Sequence, residues 1–85
     1  MGVMATVRYW ASIRAAAGTA QEQVDAGTVA GALEQVRARH DERFAQVLSV
    51  CSLVLDGDPV GGRERADVPL ADGALLDCLP PFAGG

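Results

Sequence analysis

The chain has 85 residues, enough for one domain with its own core and too few for two. Seven arginines, no lysine and eleven acidic residues leave a net charge of −4, which repels phosphate backbones and, with the arginines scattered, excludes nucleic acid as an expected partner. A hydrophobic content of 49% fits a globular chain, the apolar run VLSVCSLVL is too short to span a bilayer, and the start lacks a basic and then apolar leader, so a cytoplasmic domain with no membrane contact is expected.

Residues 3–10, VMATVRYW, are rich in β-branched and aromatic residues and read as a first strand. Val3, Ala5, Val7 and Tyr9 share one face; Met4, Thr6, Arg8 and Trp10 share the other. The bulk of Trp10 makes burial in the core its expected role. ASIRAAAGT has the composition of a helical turn stopped by Gly18, and AQEQVDA offers a short polar strand ending near Asp25. Thr28 is a credible N-cap for the one convincing helix, in which Val29, Leu33 and Val36 recur at helical spacing and Arg37, Arg39 and His40 gather toward the end. His40 is the single histidine; with no ligand or triad partner recognisable near it, a solvated helix-end residue is expected.

DERFAQVLSV adds a further turn with Phe44, Val47 and Leu48 facing inward. CSLVLDGDPV is an apolar strand entering an Asp-Gly turn, and VPLADGALLDCL repeats the plan with a turn at Asp72-Gly73 and a last strand through Leu75, Leu76 and Leu79. Cys51 and Cys78 are too few for a disulfide framework and lie in apolar runs, which makes them buried free thiols.

Strand, strand, helix, strand, short edge strand and last strand is a β-grasp order. The predicted fold is α+β, a mixed sheet of about four to five strands packed on one main helix. If the apolar first and last strands are neighbours, the helix lies in the crossover between them and the pair is parallel. Residues 1–79 form the domain. Pro80-Pro81 ends the sheet, because proline donates no ladder hydrogen bond and forces the preceding residue extended. Residues 80–85 are then a flexible tail, with a reach of at most about 20 Å.

That tail closes on Gly84-Gly85, whose missing Cβ atoms give a backbone thin enough for a tunnel that any side chain would block. The group so delivered is the Gly85 carboxylate. A carboxylate acylates nothing until it is activated, most simply as an adenylate made from ATP. This chain has no P-loop, no G-x-G-x-x-G, no metal-ligand cluster and no Ser/His/Asp or Cys/His set, so it binds no cofactor of its own and ATP belongs to another enzyme.

VRYWASIRAAAGT near the start, LDGDPV in the middle and VPLADGALLDCLPPFAGG at the end resemble the MoaD branch of the ubiquitin-like MoaD/ThiS sulfur carriers, the small subunits of molybdopterin synthase, over almost the whole chain. The opening A-x-[IV]-R turn and later glycine stand as Ala11, Ile13, Arg14 and Gly18; the closing P-L-x-D-G, strand and P-P-x-x-G-G run from Pro69 to Gly85. The resemblance implies an E1-like adenylyltransferase/sulfurtransferase that adenylates Gly85 and exchanges AMP for sulfur. A molybdopterin synthase large subunit then takes the thiocarboxylate tail, with Leu79, Pro80, Pro81, Phe82, Ala83 and Gly84 in contact, and passes sulfur to a pterin precursor. It also implies that the chain is not itself an enzyme. Ala74 stands where the family has an acidic residue, and Cys78-Leu79 where it has aromatics. Trp10 and Phe82 are candidates to restore that apolar area. A carrier for thiamine thiazole, cysteine or a specialised metabolite, a protein modifier and a plain interaction domain are the alternatives.

Overall fold

The structure, a computed structural model, describes residues 2–81. Its first strand, β1 (Met4–Tyr9), keeps the alternation of the sequence: Ala5, Val7 and Tyr9 are buried, Met4 is exposed and Thr6 and Arg8 are half-buried. The ASIRAAA segment is a full helix, α1 (Ala11–Ala17), entered through Ala11 at φ 50. Gly18, at φ 74, ends it by donating its N–H to the Arg14 carbonyl at 3.0 Å, a left-handed cap that favours glycine. The polar strand β2 (Gln21–Asp25) pairs antiparallel with β1.

Thr28 caps α2 (Val29–Arg39) as its position suggests, its hydroxyl accepting the Gly31 N–H at 3.1 Å, and Val29, Ala32, Leu33 and Val36 are buried. The expected extra turn is a third helix, α3 (Glu42–Ser49), capped by the Asp41 carboxylate on the Phe44 N–H at 3.0 Å. Phe44 and Leu48 enter the core, with Val47 packed against it. Three helices therefore stand where the sequence suggests one. The difference has a physical cause: α1 and α3 are too short to show a helical repeat on their own, and they are held by packing against each other and on Tyr9.

Strand β3 (Ser52–Leu55) turns through Asp56 and Gly57, both at positive φ, into a two-residue edge strand β4 (Asp58–Pro59). A 3-10 turn at Arg65–Asp67 leads to the last strand, β5 (Leu75–Leu79). The sheet order is β2-β1-β5-β3-β4, with β1 and β5 parallel and the other pairs antiparallel. First and last strands are neighbours, as their apolar content requires.

Both Asp-Gly turns fix where β5 begins. Asp56 accepts the Leu75 N–H through its carboxylate at 2.8 Å and donates its own N–H to the Leu75 carbonyl at 2.8 Å. Asp72 accepts the Met4 N–H at 3.0 Å, and the Gly73 N–H donates to the Met4 carbonyl at 2.7 Å. The strand is held from both flanks, so the register that sets its exit is set at its entrance.

Candidate functional site

The end of β5 lies between two strands, with Cys78 opposite Tyr9 of β1 and Leu79 opposite Ser52 of β3. Leu79 is 36% exposed, Pro80 is half-buried, Pro81 is exposed, and neither proline belongs to a strand. The proline break thus comes where the sequence puts it, in the middle of the sheet. Of the residues singled out for function, Leu79, Pro80 and Pro81 lie together at this exit. Phe82, Ala83, Gly84 and Gly85 lie outside the described residues.

Strand alternation makes Cys78 face the helices and Asp77 and Leu79 face the open side of the sheet. Asp77 lies directly opposite Arg8 across the parallel pair and receives its guanidinium at two oxygens, Nε to Oδ1 at 2.6 Å and Nη2 to Oδ2 at 3.3 Å. The Trp10 indole N–H donates to the same Oδ1 at 2.8 Å, and the Arg8 guanidinium sits 5.0 Å from the indole centre. Burial alone would raise the Asp77 carboxyl; the hydrogen bonds from Arg8 and Trp10 outweigh it and hold that carboxyl below the usual range. The result is a charge-paired, hydrogen-bonded group beside the exit, with Trp10 and Leu79 as large exposed apolar side chains near it and Met4 on the same face at the opposite end of β1.

Trp10 corrects the sequence reading. It is 41% exposed, not buried, because it follows β1 in the parity of Met4 and Arg8 and its indole N–H finds its acceptor on the open face. The face assignment was visible in the alternation; side-chain bulk was the misleading signal. Arg8 and Asp77 were missed as site residues, and nothing short of the β1–β5 register would have paired them.

On the covered side, His40 is also corrected. Its side chain is only 15% exposed, its Nε2 is 2.5 Å from Glu22 Oε2, and its ring packs 4.3 Å from Phe44. Tyr9 donates its hydroxyl to the same Glu22 oxygen at 2.6 Å, and Arg39 lies 3.6 Å from the other. Burial alone would raise the Glu22 carboxyl, but the hydrogen bonds of Tyr9 and His40 prevail and lower it. The Tyr9 hydroxyl is pushed up by burial and by that carboxylate. This cluster joins β1, β2 and the α2–α3 junction.

The thiols are buried and free, as expected. Burial pushes Cys51 up to about 11 and Cys78 up to about 12, so neither offers a thiolate nucleophile near neutral pH. Among the described residues no group of three or more His, Cys, Asp or Glu could hold a metal ion, and no helix is long and apolar enough to cross a membrane.

Comparison with known proteins places this geometry. A family model described as the ThiS family matches residues 7–85. Among solved structures, the small archaeal modifier protein SAMP1 of Methanosarcina acetivorans aligns at TM-score 0.85 and 19% identity, covering 100% of this chain and 99% of that one. A chain in the complex of subunits 1 and 2 of molybdopterin-converting factor from Helicobacter pylori aligns at 0.71 and 24%, covering 98% and 100%. A chain of the BexX/CysO complex of Amycolatopsis orientalis aligns at 0.77 and 22%, covering 95% and 99%. At these identities the structures establish a shared ubiquitin-like β-grasp fold. No curated protein sequence matches the chain.

Proposed function

Because the chain belongs to the ThiS family of ubiquitin-fold sulfur carriers, we propose that it is the non-catalytic small subunit of a cytoplasmic molybdopterin synthase, with residues 1–79 as the carrier domain and residues 80–85 as its working tail. An E1-like partner uses ATP to convert the Gly85 carboxylate to an acyl adenylate, releasing pyrophosphate. A reduced sulfur nucleophile then attacks the acyl carbon, the carbon–oxygen bond to AMP breaks, and a thiocarboxylate remains. The large subunit takes Ala83, Gly84 and Gly85 into its catalytic channel, while Leu79, Pro80, Pro81 and Phe82 contact its mouth.

The observation that carries this reading is the family match, which extends over the closing Pro-Pro-x-x-Gly-Gly. The geometry supports it in two ways. The tail leaves from a central strand whose start is clamped by two turns, so the domain is a fixed base for a reaching segment. Cys51 and Cys78 are turned inward with raised thiols, and the sequence has no lysine, so the carrier presents neither a side-chain thiolate nor a lysine amine to an activated acyl group. Among sulfur acceptors, the motif from Pro69 to Gly73 and the closing Pro80–Gly85 favour the pterin precursor.

Intact-mass spectrometry of the chain from its own host tests the chemistry. A species about 16 Da heavier, oxygen exchanged for sulfur, is expected. Deleting Gly85 should abolish sulfur transfer to the pterin precursor in the presence of the large subunit, with the melting temperature unchanged. Full transfer by that deletion overturns the carrier reading; conjugates to other proteins in place of the heavier species make the chain a modifier.

A further inference from the structure

An antiparallel ladder leaves alternate residues of an edge strand with their N–H and C=O groups pointing away from the sheet. In β2 the inward hydrogen bonds at its two ends, Tyr9 N–H to the Ala20 carbonyl and Ala26 N–H to the Val3 carbonyl, fix the even-numbered residues as inward. Gln21, Gln23 and Asp25 therefore point outward. An exposed row of this kind is a template for a further strand.

The row is covered. Gln35 accepts the Asp25 N–H through its side-chain oxygen at 3.1 Å and returns its amide N–H to the Asp25 carbonyl. Arg39 donates Nη1 to the Gln23 carbonyl at 2.7 Å, and the Thr19 hydroxyl donates to the Gln21 carbonyl at 3.3 Å. Gln35 completes both hydrogen bonds that an added strand would make at Asp25. The match is geometric: four residues of helix rise about 6 Å, and two residues of strand about 6.8 Å. Side chains four apart on α2 thus meet outward groups two apart on β2, with the two elements running in opposite directions. The opposite edge, β4, is blunted by its two-residue length and by Pro59.

We propose that Gln35 and Arg39 are a built-in cover that closes the β2 edge to strand addition by a second copy of this chain. The inference goes beyond the sulfur-carrier reading and is independent of the tail.

Sedimentation equilibrium of the full chain carrying Gln35→Ala and Arg39→Ala tests it. The wild type is expected as a monomer, and the double variant should self-associate at least about ten-fold more tightly. Adding Gln23→Pro, which deletes an outward N–H without touching the β1 ladder, should restore the monomer. Glu22→Gln, which removes the charge that Arg39 faces while leaving the cover in place, should remain a monomer. A folded double variant that stays monomeric, or a wild type that dimerises through β2, overturns the proposal. Amide exchange of the wild type gives a reading that needs no variant to fold. The Asp25 N–H must exchange more slowly than the outward Gln23 N–H, which has no side-chain acceptor among the described residues; equal rates overturn the cover.

Discussion

Glu22 and Asp77 each accept a hydrogen bond from an aromatic side chain at the end of β1, and each lies near an arginine, yet one sits under the helices and the other on the open face. The placement follows from parity alone. Tyr9 points in and meets Glu22, whereas Arg8 and Trp10 point out and meet Asp77. Inside, the hydrogen-bonded partners are enclosed: Tyr9 is buried, and His40 is 15% exposed and joins the α2–α3 junction to the strands, with only Arg39 at the rim. Outside, Arg8 is 38% exposed and Trp10 keeps much of its surface free. Similar chemistry thus serves two purposes. The inner carboxylate holds elements together, and the outer one holds an aromatic surface still beside the tail exit.

The sharpest way to break this comparison is to remove one member of each cluster in turn and read both stability and binding. Glu22→Ala strands the Tyr9 hydroxyl and the His40 ring at about 1–3 kcal/mol each, so a loss of about 3 kcal/mol is expected. In a domain of this size that lowers the melting temperature by roughly 10–20 °C in a calorimetric scan. Below the transition, carrier-dependent ATP–pyrophosphate exchange by the activating enzyme should be unchanged. Trp10→Ala should do the reverse. Loss of an exposed tryptophan at an interface centre costs about 2 kcal/mol, a roughly 30-fold weaker complex with the activating enzyme or the large subunit by titration calorimetry. Its melting temperature should stay within a few degrees of the wild type. A Trp10 variant that binds normally removes the open face from the docking surface while leaving the Gly85 chemistry intact.

The same parity explains what the sequence disclosed. The first and last strands, the Thr28 cap, the Gly18 stop and both Asp-Gly turns are local signals, each needing only a few neighbouring residues, and all are present in the structure. The proline break after Leu79 was legible for the same reason. What could not be read depends on register between distant segments: Arg8 opposite Asp77 is separated by 69 residues, and the approach of His40 to Glu22 by 18. Trp10 was misplaced because bulk outweighed alternation, although the alternation alone assigned its face. Helices α1 and α3 carry too few residues for periodicity to mark them, and their mutual packing is a tertiary fact.

The smallest expected effect separates the two carboxylates by pH and salt together. Both have folded-state values lowered from their ordinary ones, so both contribute stability that is fully present above the ordinary carboxylate range and is lost as pH falls through the folded values. Melting temperatures followed from about pH 7 down to about pH 3 should therefore decline on the acid side, and Glu22→Gln and Asp77→Asn should each make that decline shallower. Salt then distinguishes them. The guanidinium on Asp77 is open to solvent and directly bonded at 2.6 Å, whereas Glu22 is hydrogen-bonded by an enclosed ring and hydroxyl and its own exposed guanidinium, Arg39, stands off at 3.6 Å. Raising ionic strength should shrink the acid-side difference between wild type and Asp77→Asn more than that of Glu22→Gln, of which only the Arg39 part is open to screening. Equal salt responses would mean that both clusters are open to water, and the distinction between a holding carboxylate and a presenting one would fall.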